Sequence, residues 1–147
     1  MKVRPMQDSD LDVVVELEKT VFPDPWSRIS FEYELKSNPY SLPLILEHMG
    51  EIAGYAIIWR IFEEFHIANI AVHPNLQGRK MGSYFLRHIL SLKENCSYAI
   101  LEVRESNQRA IHLYENFGFN IIMKRTRYYR NGETALVMQK IFSKEND

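Results

Sequence analysis

The chain has 147 residues, of which 46% are hydrophobic and 25% are charged, and its formal net charge is −1. This composition is typical of a soluble globular protein, and we expect one domain over residues 1–147. The near-neutral charge argues against a general nucleic-acid-binding protein, which would carry a basic excess. The single Cys96 excludes an internal disulfide and a cysteine-cluster metal site, and we expect no metal.

Targeting signals are not evident in the sequence. No apolar run approaches the roughly 18 residues that a membrane-spanning helix needs. The first residues, Met-Lys-Val-Arg-Pro, do not begin a signal peptide. We therefore expect an intracellular, cytoplasmic protein that works without a membrane.

The N-terminal half of the chain shows the periodicities of a strand, two helices and three further strands. The first helix carries one apolar face, formed by Leu11, Val14, Val15 and Leu17. The predicted elements are a strand over Lys2–Met6, a helix capped by Asp8 or Ser9, a helix capped by Ser27, a hairpin of Leu42–His48 and Ile52–Ile61, and a strand over Phe65–Val72.

The stretch after this last strand is the most informative part of the sequence. Its final residues, Asn69–Val72, do not alternate between apolar and polar, and we expect them to be buried on both faces. Pro74 ends the strand, and Gln77-Gly78-Arg79-Lys80-Met81-Gly82 opens a helix with an apolar stripe. Free backbone N–H groups, the helix dipole and two cations favour an anion there, so the loop predicts a phosphate site.

The C-terminal half adds a strand, a helix and a closing hairpin. These are a strand over Tyr98–Val103, a helix from the cap Ser106 or Asn107 through Phe117, and strands Asn120–Tyr129 and Thr134–Lys140 around an Asn131-Gly132 turn. The order β-αα-βββ-α-β-α-ββ predicts an α/β (α+β) fold, a mixed seven-stranded sheet with about four helices. Strands Phe65–Val72 and Tyr98–Val103 should be parallel neighbours, with the ligand at their carboxyl ends.

Motifs spread over nearly the whole chain resemble the GNAT superfamily of acyl-CoA-dependent N-acetyltransferases. Within it they are most similar to the RimI type, the ribosomal-protein-alanine N-acetyltransferases. The motifs are Pro25-Trp26-Ser27, Gly54-Tyr55-Ala56, Asn69-Ile70-Ala71-Val72-His73-Pro74, the loop with Gln77 and Gly82 in register, Leu101-Glu102-Val103-Arg104 with Ser106-Asn107, Leu113-Tyr114-Glu115 with Gly118-Phe119, and Tyr128-Tyr129. The resemblance implies the GNAT fold and acetyl-CoA as co-substrate.

The resemblance also implies how acetyl-CoA is held. The pantetheine arm would pair with the backbone of Ile70, Ala71 and Val72 and hydrogen-bond to Asn107, which also fits a helix N-cap. Backbone amides would hold the pyrophosphate, those of Gly78, Arg79, Lys80, Met81, Gly82 and Ser83. One departure is Lys80, which stands where the family pattern has a glycine. If that position needs a positive φ, a lysine costs on the order of 1–2 kcal/mol, which pairing with a phosphate would offset.

Two residues match the family's acid–base pair. Glu102 would be the general base, directly or through a water, and the alternatives are an ion pair with an arginine such as Arg104 or a solvated strand end. Tyr114 would be the general acid toward the leaving thiolate, and the alternative is an ordinary core aromatic. His66 and His73 could serve as another base, although a lone histidine is more often structural. Aromatic walls for the acceptor groove are also expected, from Trp26, Phe31, Tyr128 and Tyr129.

The sequence thus predicts an acetyl-CoA-dependent N-acetyltransferase that acts on a protein N-terminal amine. The resemblance implies the alanine of a small-subunit ribosomal protein as the partner, with no direct contact to nucleic acid. Two alternatives stay open at this point. One is a GNAT enzyme for a small amine or a lysine side chain, and the other is a non-catalytic acyl-CoA-binding module.

Overall fold

A computed structural model describes residues 1–78 and 80–143. The strands are β1 (Lys2–Pro5), β2 (Ser41–His48), β3 (Glu51–Ile61), β4 (Glu64–Val72), β5 (Tyr98–Arg104), β6 (Asn120–Arg125) and β7 (Ala135–Ile141). The helices are α1 (Leu11–Val21), α2 (Arg28–Lys36), α3 (Met81–Leu90) and α4 (Gln108–Asn116). This is the predicted order, and the prediction of a mixed seven-stranded sheet with four helices is confirmed.

The sheet runs in the order β1-β2-β3-β4-β5-β7-β6. Its neighbours are antiparallel except for β4 and β5, which are parallel as predicted. The parallel ladder joins only Glu64–Ile67 to Tyr98–Leu101, although both strands continue, β4 to Val72 and β5 to Arg104. The two strands therefore separate at their carboxyl ends and leave a gap in the middle of the sheet.

A β-bulge in β4 lies at the start of this gap. Asn69 pairs with Ile57 of β3 and Ile67 pairs with Ile58, so Ala68 is the extra residue. Beyond the bulge the side chains of β4 alternate between buried and half-buried. The expectation that Asn69–Val72 is buried on both faces is confirmed only in part: Ala71 belongs to the core on one face, while Ile70 and Val72 pack against the core on the other face but are only half-buried.

The two faces of the sheet carry separate cores. One core packs under α3 and α4 and contains Phe65, Phe85 and Leu101. The other packs under α1 and α2 and contains Phe31 and Tyr55. β3 and β4 approach closely at Gly54, where an added Cβ would lie 2.5 Å from the carbonyl oxygen of Ala71, so only glycine fits there.

Most predicted strands have a bound that is shifted by one residue in the structure, as has the predicted end of α4, and two predictions need a larger correction. Asp8 and Ser9 do not cap α1, since they lie in a 3₁₀ turn over Asp8–Asp10 and α1 begins at Leu11. The predicted turn at Asn131-Gly132 is present, since the Gly132 N–H donates to the carbonyl oxygen of Tyr129 at 2.9 Å and the Tyr129 N–H donates to that of Glu133 at 3.2 Å. The predicted strand before it is too long, because β6 ends at Arg125 and the turn lies within a loop of residues 126–134. The caps at Ser27 and Asn107 are confirmed, since their side chains accept hydrogen bonds from the N–H groups of Ser30 and Ala110. Every helix in the described part of the chain is too short or too polar to cross a bilayer.

Candidate active site

A cleft of about 1510 Å³ occupies the gap between the ends of β4 and β5, and we call it the sheet cleft. Its walls come from these two strands, the first turns of α3 and α4, the α1–α2 loop (residues 22–27) and the β6–β7 loop (residues 126–134). The cleft is lined by the predicted site residues Ile70, Ala71, Val72, Gly78, Lys80, Gly82, Ser83, Glu102, Asn107 and Tyr114. The side chain of Met81 is buried in the core instead, so only its backbone can face the cleft. Arg79 lies outside the described residues.

The β4 edge that borders the cleft offers backbone groups to an extended ligand. β5 stops pairing with β4 at Ile67, so within residues 1–78 and 80–143 no strand lies beside the edge from Ala68 to Val72 on that side. Gln77 donates a hydrogen bond from Nε2 to the carbonyl oxygen of Val72, at 3.0 Å, and so ties the following loop to the strand end. An extended chain can add to such an edge in the manner of another strand.

The loop before α3 has the backbone shape of an anion site. Gly78 and Lys80 both have positive φ, at +83° and 64°. Tyr84 donates the first helical hydrogen bond, to the carbonyl oxygen of Lys80 at 3.1 Å, so the N–H groups of residues 81–83 precede the helical ladder. Lys80 is the N-cap residue, and its side chain makes no capping hydrogen bond. Aligned free N–H groups at a helix N-terminus favour a phosphate.

The left-handed conformation of Lys80 answers the question raised by the sequence. The position does need a positive φ, and lysine adopts it at a cost of about 1–2 kcal/mol. Arg109 of α4 is a second cation beside this loop, with Nη1 3.7 Å from where a Cβ on Gly78 would lie. The sequence analysis missed Arg109, because no local pattern links α4 to the α3 loop.

Glu102 reaches the cleft from β5. Leu101 and Val103 on either side of it are buried, as the alternation predicted, and the Glu102 side chain is 19% exposed. Its Oε1 lies 3.2 Å from Nε2 of His66 on β4. The suggested ion pair with Arg104 is not present, since Arg104 binds Asp24 and Glu133 instead.

Tyr114 is a core aromatic that also lines the sheet cleft. Its ring is 6% exposed, lies 5.8 Å from the ring of Phe119 and belongs to the core, while the residue also lines the sheet cleft. Burial, followed by the charge of Tyr129, raises the pKa of Tyr114 well above its ordinary value. The phenol therefore stays protonated and can donate a hydrogen bond into the cleft.

Tyr129 lies close enough to Arg104 and Glu102 for both charges to affect its pKa. Burial raises the pKa of Tyr129 to about 12; the guanidinium of Arg104 lowers it and the carboxylate of Glu102 raises it. Tyr128, Tyr129 and Trp26 line the cleft, as expected for an aromatic wall. Phe31 does not, because it is fully buried in the core between the rings of Trp26 and Tyr55.

Arg104, at the end of β5, joins the two loops that wall this side of the cleft. Its Nη2 donates to Asp24 in the α1–α2 loop, and its Nη1 donates to Glu133 and Asn131 in the β6–β7 loop, each at 3.1 Å. Its guanidinium also lies 3.9 Å from the ring centre of Tyr129. Arg104 therefore fixes the positions of both loops relative to Glu102, two residues earlier on the same strand.

A buried carboxylate supports the floor of the cleft. Glu18 of α1 is 1% exposed and accepts hydrogen bonds from the Tyr55 hydroxyl, from Asn69 Nδ2 at 2.9 Å and from the Trp26 N–H at 2.8 Å. Burial raises the pKa of Glu18, against the effect of these donors. The sequence held a signal for this residue, since Glu18 lies four residues after Val14 on the apolar face of α1.

His73, the other histidine considered as a base, makes a local contact in the loop after β4. His73 accepts a hydrogen bond at Nδ1 from the Asn75 N–H, at 3.2 Å, and so caps a short 3₁₀ turn over Pro74–Leu76. This contact is the structural role that a lone histidine was expected to have. Across residues 1–78 and 80–143, no group of three or more His, Cys, Asp or Glu side chains could hold a metal ion.

Comparison with known proteins identifies the family. The model of the Acetyltransferase (GNAT) family matches residues 11–119. The chain belongs to the GNAT family of acetyltransferases. A putative [ribosomal protein bS18]-alanine N-acetyltransferase of Bacillus subtilis (strain 168) is 40% identical over 139 residues, 92% of each chain. The [ribosomal protein bS18]-alanine N-acetyltransferase of Escherichia coli (strain K12) is 33% identical over 138 residues, 90% of this chain and 92% of that one.

The fold comparison agrees with the sequence comparison. The crystal structure of the ribosomal-protein-S18-alanine N-acetyltransferase from Escherichia coli superposes with a TM-score of 0.87 at 31% identity. The match covers 99% of this chain and 97% of that one. The predicted GNAT fold and the prediction of an acetyl-CoA-dependent N-acetyltransferase are therefore confirmed, and the resemblance to RimI-type enzymes is too.

Two substitutions of Lys80 separate its charge from its backbone strain. Lys80→Gly and Lys80→Ala both remove the ammonium, but only alanine keeps the cost of a positive φ. We expect the Gly variant to be more stable than the Ala variant by about 1 kcal/mol in urea unfolding. We expect both to bind acetyl-CoA about threefold to tenfold more weakly, measured by calorimetry, because both lose the same charge. Equal stability of the two variants would argue against strain at this position.

Loss of the Arg104 contacts should raise KM for the acceptor more than KM for acetyl-CoA. In Arg104→Gln the two loops lose their common partner, so we expect KM for the acceptor to rise about tenfold, equivalent to about 1.4 kcal/mol. KM for acetyl-CoA should change less than about twofold, since the β4 edge and the α3 loop are intact. Arg104→Lys keeps the charge without the planar fork and should lie between wild type and Gln. Steady-state kinetics with each substrate varied in turn measure both constants, and an unchanged acceptor KM contradicts the assignment.

Proposed function

We propose that this protein transfers the acetyl group of acetyl-CoA to the N-terminal amine of a protein that begins with alanine, and that this protein is the small-subunit ribosomal protein bS18. The observation that carries the proposal is that Glu102 and Tyr114 line one cleft together with the free β4 edge and the α3 loop. The names of the relatives at 40% and 33% identity support the choice of acceptor. The acetyl group passes directly from thioester to amine.

The cofactor would lie along backbone groups on one side of the cleft. The pantetheine arm pairs with the backbone of Ile70–Val72, which β5 leaves free. The pyrophosphate meets the amides of residues 78–83, with Lys80 and Arg109 as nearby cations. Asn107 Oδ1 already accepts from the Ala110 N–H, at 3.2 Å, so Asn107 would use its amide N–H to bind the pantetheine. The thioester then lies near Val72, where a backbone amide can stabilise the oxyanion.

The acceptor amine would enter from the opposite side, between the two loops that Arg104 joins. An α-amine has an ordinary pKa near 8, so most of it carries an extra proton at neutral pH. Glu102 takes this proton, and the neutral amine attacks the thioester carbonyl carbon. Trp26, Tyr128 and Tyr129 offer apolar surfaces beside the entering chain. A protein terminus suits this side because it is open and walled by loops from two separate parts of the chain.

Tyr114 would complete the transfer. As the new N–C bond forms and the C–S bond breaks, the leaving thiolate accepts the proton of the Tyr114 hydroxyl. The resulting phenolate recovers a proton from the nitrogen of the new amide. Burial raises the pKa of Tyr114, which keeps the phenol protonated before each turnover and favours its rapid return to that state.

The first test is a reaction of acetyl-CoA with a peptide that begins with alanine and carries an internal lysine. A twin with a blocked N-terminus is the control. We expect mass spectrometry to find one added acetyl group on the free peptide and none on the twin. Glu102→Gln should slow this reaction about a hundredfold or more, while acetyl-CoA binding is retained.

Two outcomes would indicate a different class of substrate. Acetylation of the blocked twin indicates a lysine acetyltransferase. Acetylation of neither peptide, with turnover of free polyamines, indicates a small-amine enzyme. If Glu102→Gln acetylates the free peptide at the wild-type rate, the proposed substrate is still supported, but Glu102 is not the general base.

Tyr114→Phe tests the general acid and its protonation state. We expect kcat to fall about a hundredfold with little change in KM for acetyl-CoA. Since burial raises the pKa of Tyr114, the hydroxyl keeps its proton beyond the ordinary value near 10. The ratio of wild-type to variant kcat should therefore be constant between about pH 6 and about pH 9.5. A ratio that decreases toward the alkaline end of this range would mean that the phenol ionises there.

A further inference from the structure

His66 contacts Glu102 but does not line the sheet cleft. Its Nε2 is 3.2 Å from Glu102 Oε1, and its Nδ1 is 3.7 Å from Oε2 of Glu64. Among the described residues that line the cleft, Glu102 is present and His66 is not. The imidazole is therefore in contact with the carboxylate but not with the space that the substrates occupy.

The surroundings hold the imidazole between these two carboxylates. The ring of Trp59 meets the His66 ring edge-on, at 5.1 Å and 89°. Trp59 is itself fixed by a hydrogen bond from its Nε1 to Glu34, at 2.6 Å. On the far side, Tyr98 donates from its hydroxyl to Oε1 of Glu64, at 3.0 Å. The charged groups facing the ring are thus Glu102 at one nitrogen and Glu64 at the other.

The reaction has to dispose of a proton. An acceptor that binds as an ammonium ion and leaves as an amide, while CoA leaves as a thiol, releases one net proton in each turnover. That proton is on Glu102 while both substrates fill the cleft. A route that leads away from the cleft is therefore useful at this step.

We infer that His66 is a proton relay for Glu102, which carries the amine proton out of the cleft toward Glu64. The inference rests on the proposed role of Glu102. Glu102 gives its proton to Nε2 of a neutral imidazole, and the imidazolium releases its Nδ1 proton through a bridging water to the Glu64 carboxylate, 3.7 Å away, and then to solvent. Exchange with water returns the ring to its starting tautomer, so the ring gains and loses one proton. The route ends at the most exposed of the three side chains, since Glu64 is 35% exposed while Glu102 is 19% and His66 is 17% exposed.

His66 acts through Glu102, so it is a positioning residue, and its test must separate relay from simple support. We would measure kcat with the alanine-first peptide for His66→Ala and His66→Gln. The kcat of each variant should fall about tenfold or more, because alanine makes no hydrogen bond to Glu102 and glutamine makes one but cannot pass a proton. KM for acetyl-CoA should stay within about twofold of wild type. His112→Gln is the matched control, because His112 is an exposed histidine on α4, and it should keep the wild-type rate.

Two further readouts are specific to proton transfer. Added imidazole should raise the rate of His66→Ala about threefold or more and leave wild type unchanged. The double variant Glu102→Gln/His66→Ala should be no slower than Glu102→Gln alone and should not respond to imidazole, since a relay has no function without its base. Thermal melts and acetyl-CoA binding check that each variant is folded.

Three results would overturn the relay. They are a His66→Gln rate equal to wild type, a double variant slowed by the product of the single effects, and a His66→Ala rate that imidazole does not change. Failure of the relay is distinguishable from failure of the proposed function. If Glu102→Gln is inactive and the His66 variants are fully active, only the relay is wrong. If Glu102→Gln is fully active, Glu102 is not the general base and the proposed mechanism is wrong as well.

Discussion

The separation of β4 from β5 is the constraint on which the rest of this structure depends. Two parallel strands that stop pairing at Ile67 and Leu101 leave backbone groups without partners in the middle of a sheet, where they would ordinarily be costly. Here the gap is open to the surface as a cleft, so a bound chain or water can satisfy them. The bulge at Ala68 and the close approach at Gly54 hold β4 in the course that keeps the gap open.

Two sets of polar contacts, around Glu18 and around Arg104, hold the elements that border the gap. Glu18 lies below the cleft and ties α1 to β3, to β4 and to the α1–α2 loop through buried hydrogen bonds. Arg104 lies at its rim and joins the α1–α2 loop to the β6–β7 loop. Both contacts converge on the loop that carries Trp26, so this wall is fixed from below and from the side. Glu102 and His66 form a further pair that links β5 to β4.

Much of the fold was predictable from the sequence because it depends on local patterns. Alternation in Leu101-Glu102-Val103 predicts which way Glu102 points, and Asn107 has the residue type of an N-cap. Partners far along the chain were not predictable. Periodicity indicates a face of a strand but not which residues contact it. An ion pair of Glu102 with Arg104 was therefore left open as an alternative although Arg104 binds Asp24, and Phe31 was expected in the acceptor groove although it is buried in the core. The Asn131-Gly132 turn was predicted from its residue types, but the early end of β6 at Arg125 was not, because the sequence does not show which contacts the following loop makes.

The two sides of the sheet cleft are built from different chemical material. The β4 edge and the first turn of α3 present N–H and C=O groups, which nearly every residue type supplies, and Lys80 keeps the required backbone shape without being a glycine. The opposite wall consists of side chains on loops, such as Trp26 and Tyr128, where each substitution changes the surface. Mutations accumulating over evolutionary time would therefore alter the two walls unequally. A protein of this construction can acquire a new acceptor while its donor side persists through extensive sequence change.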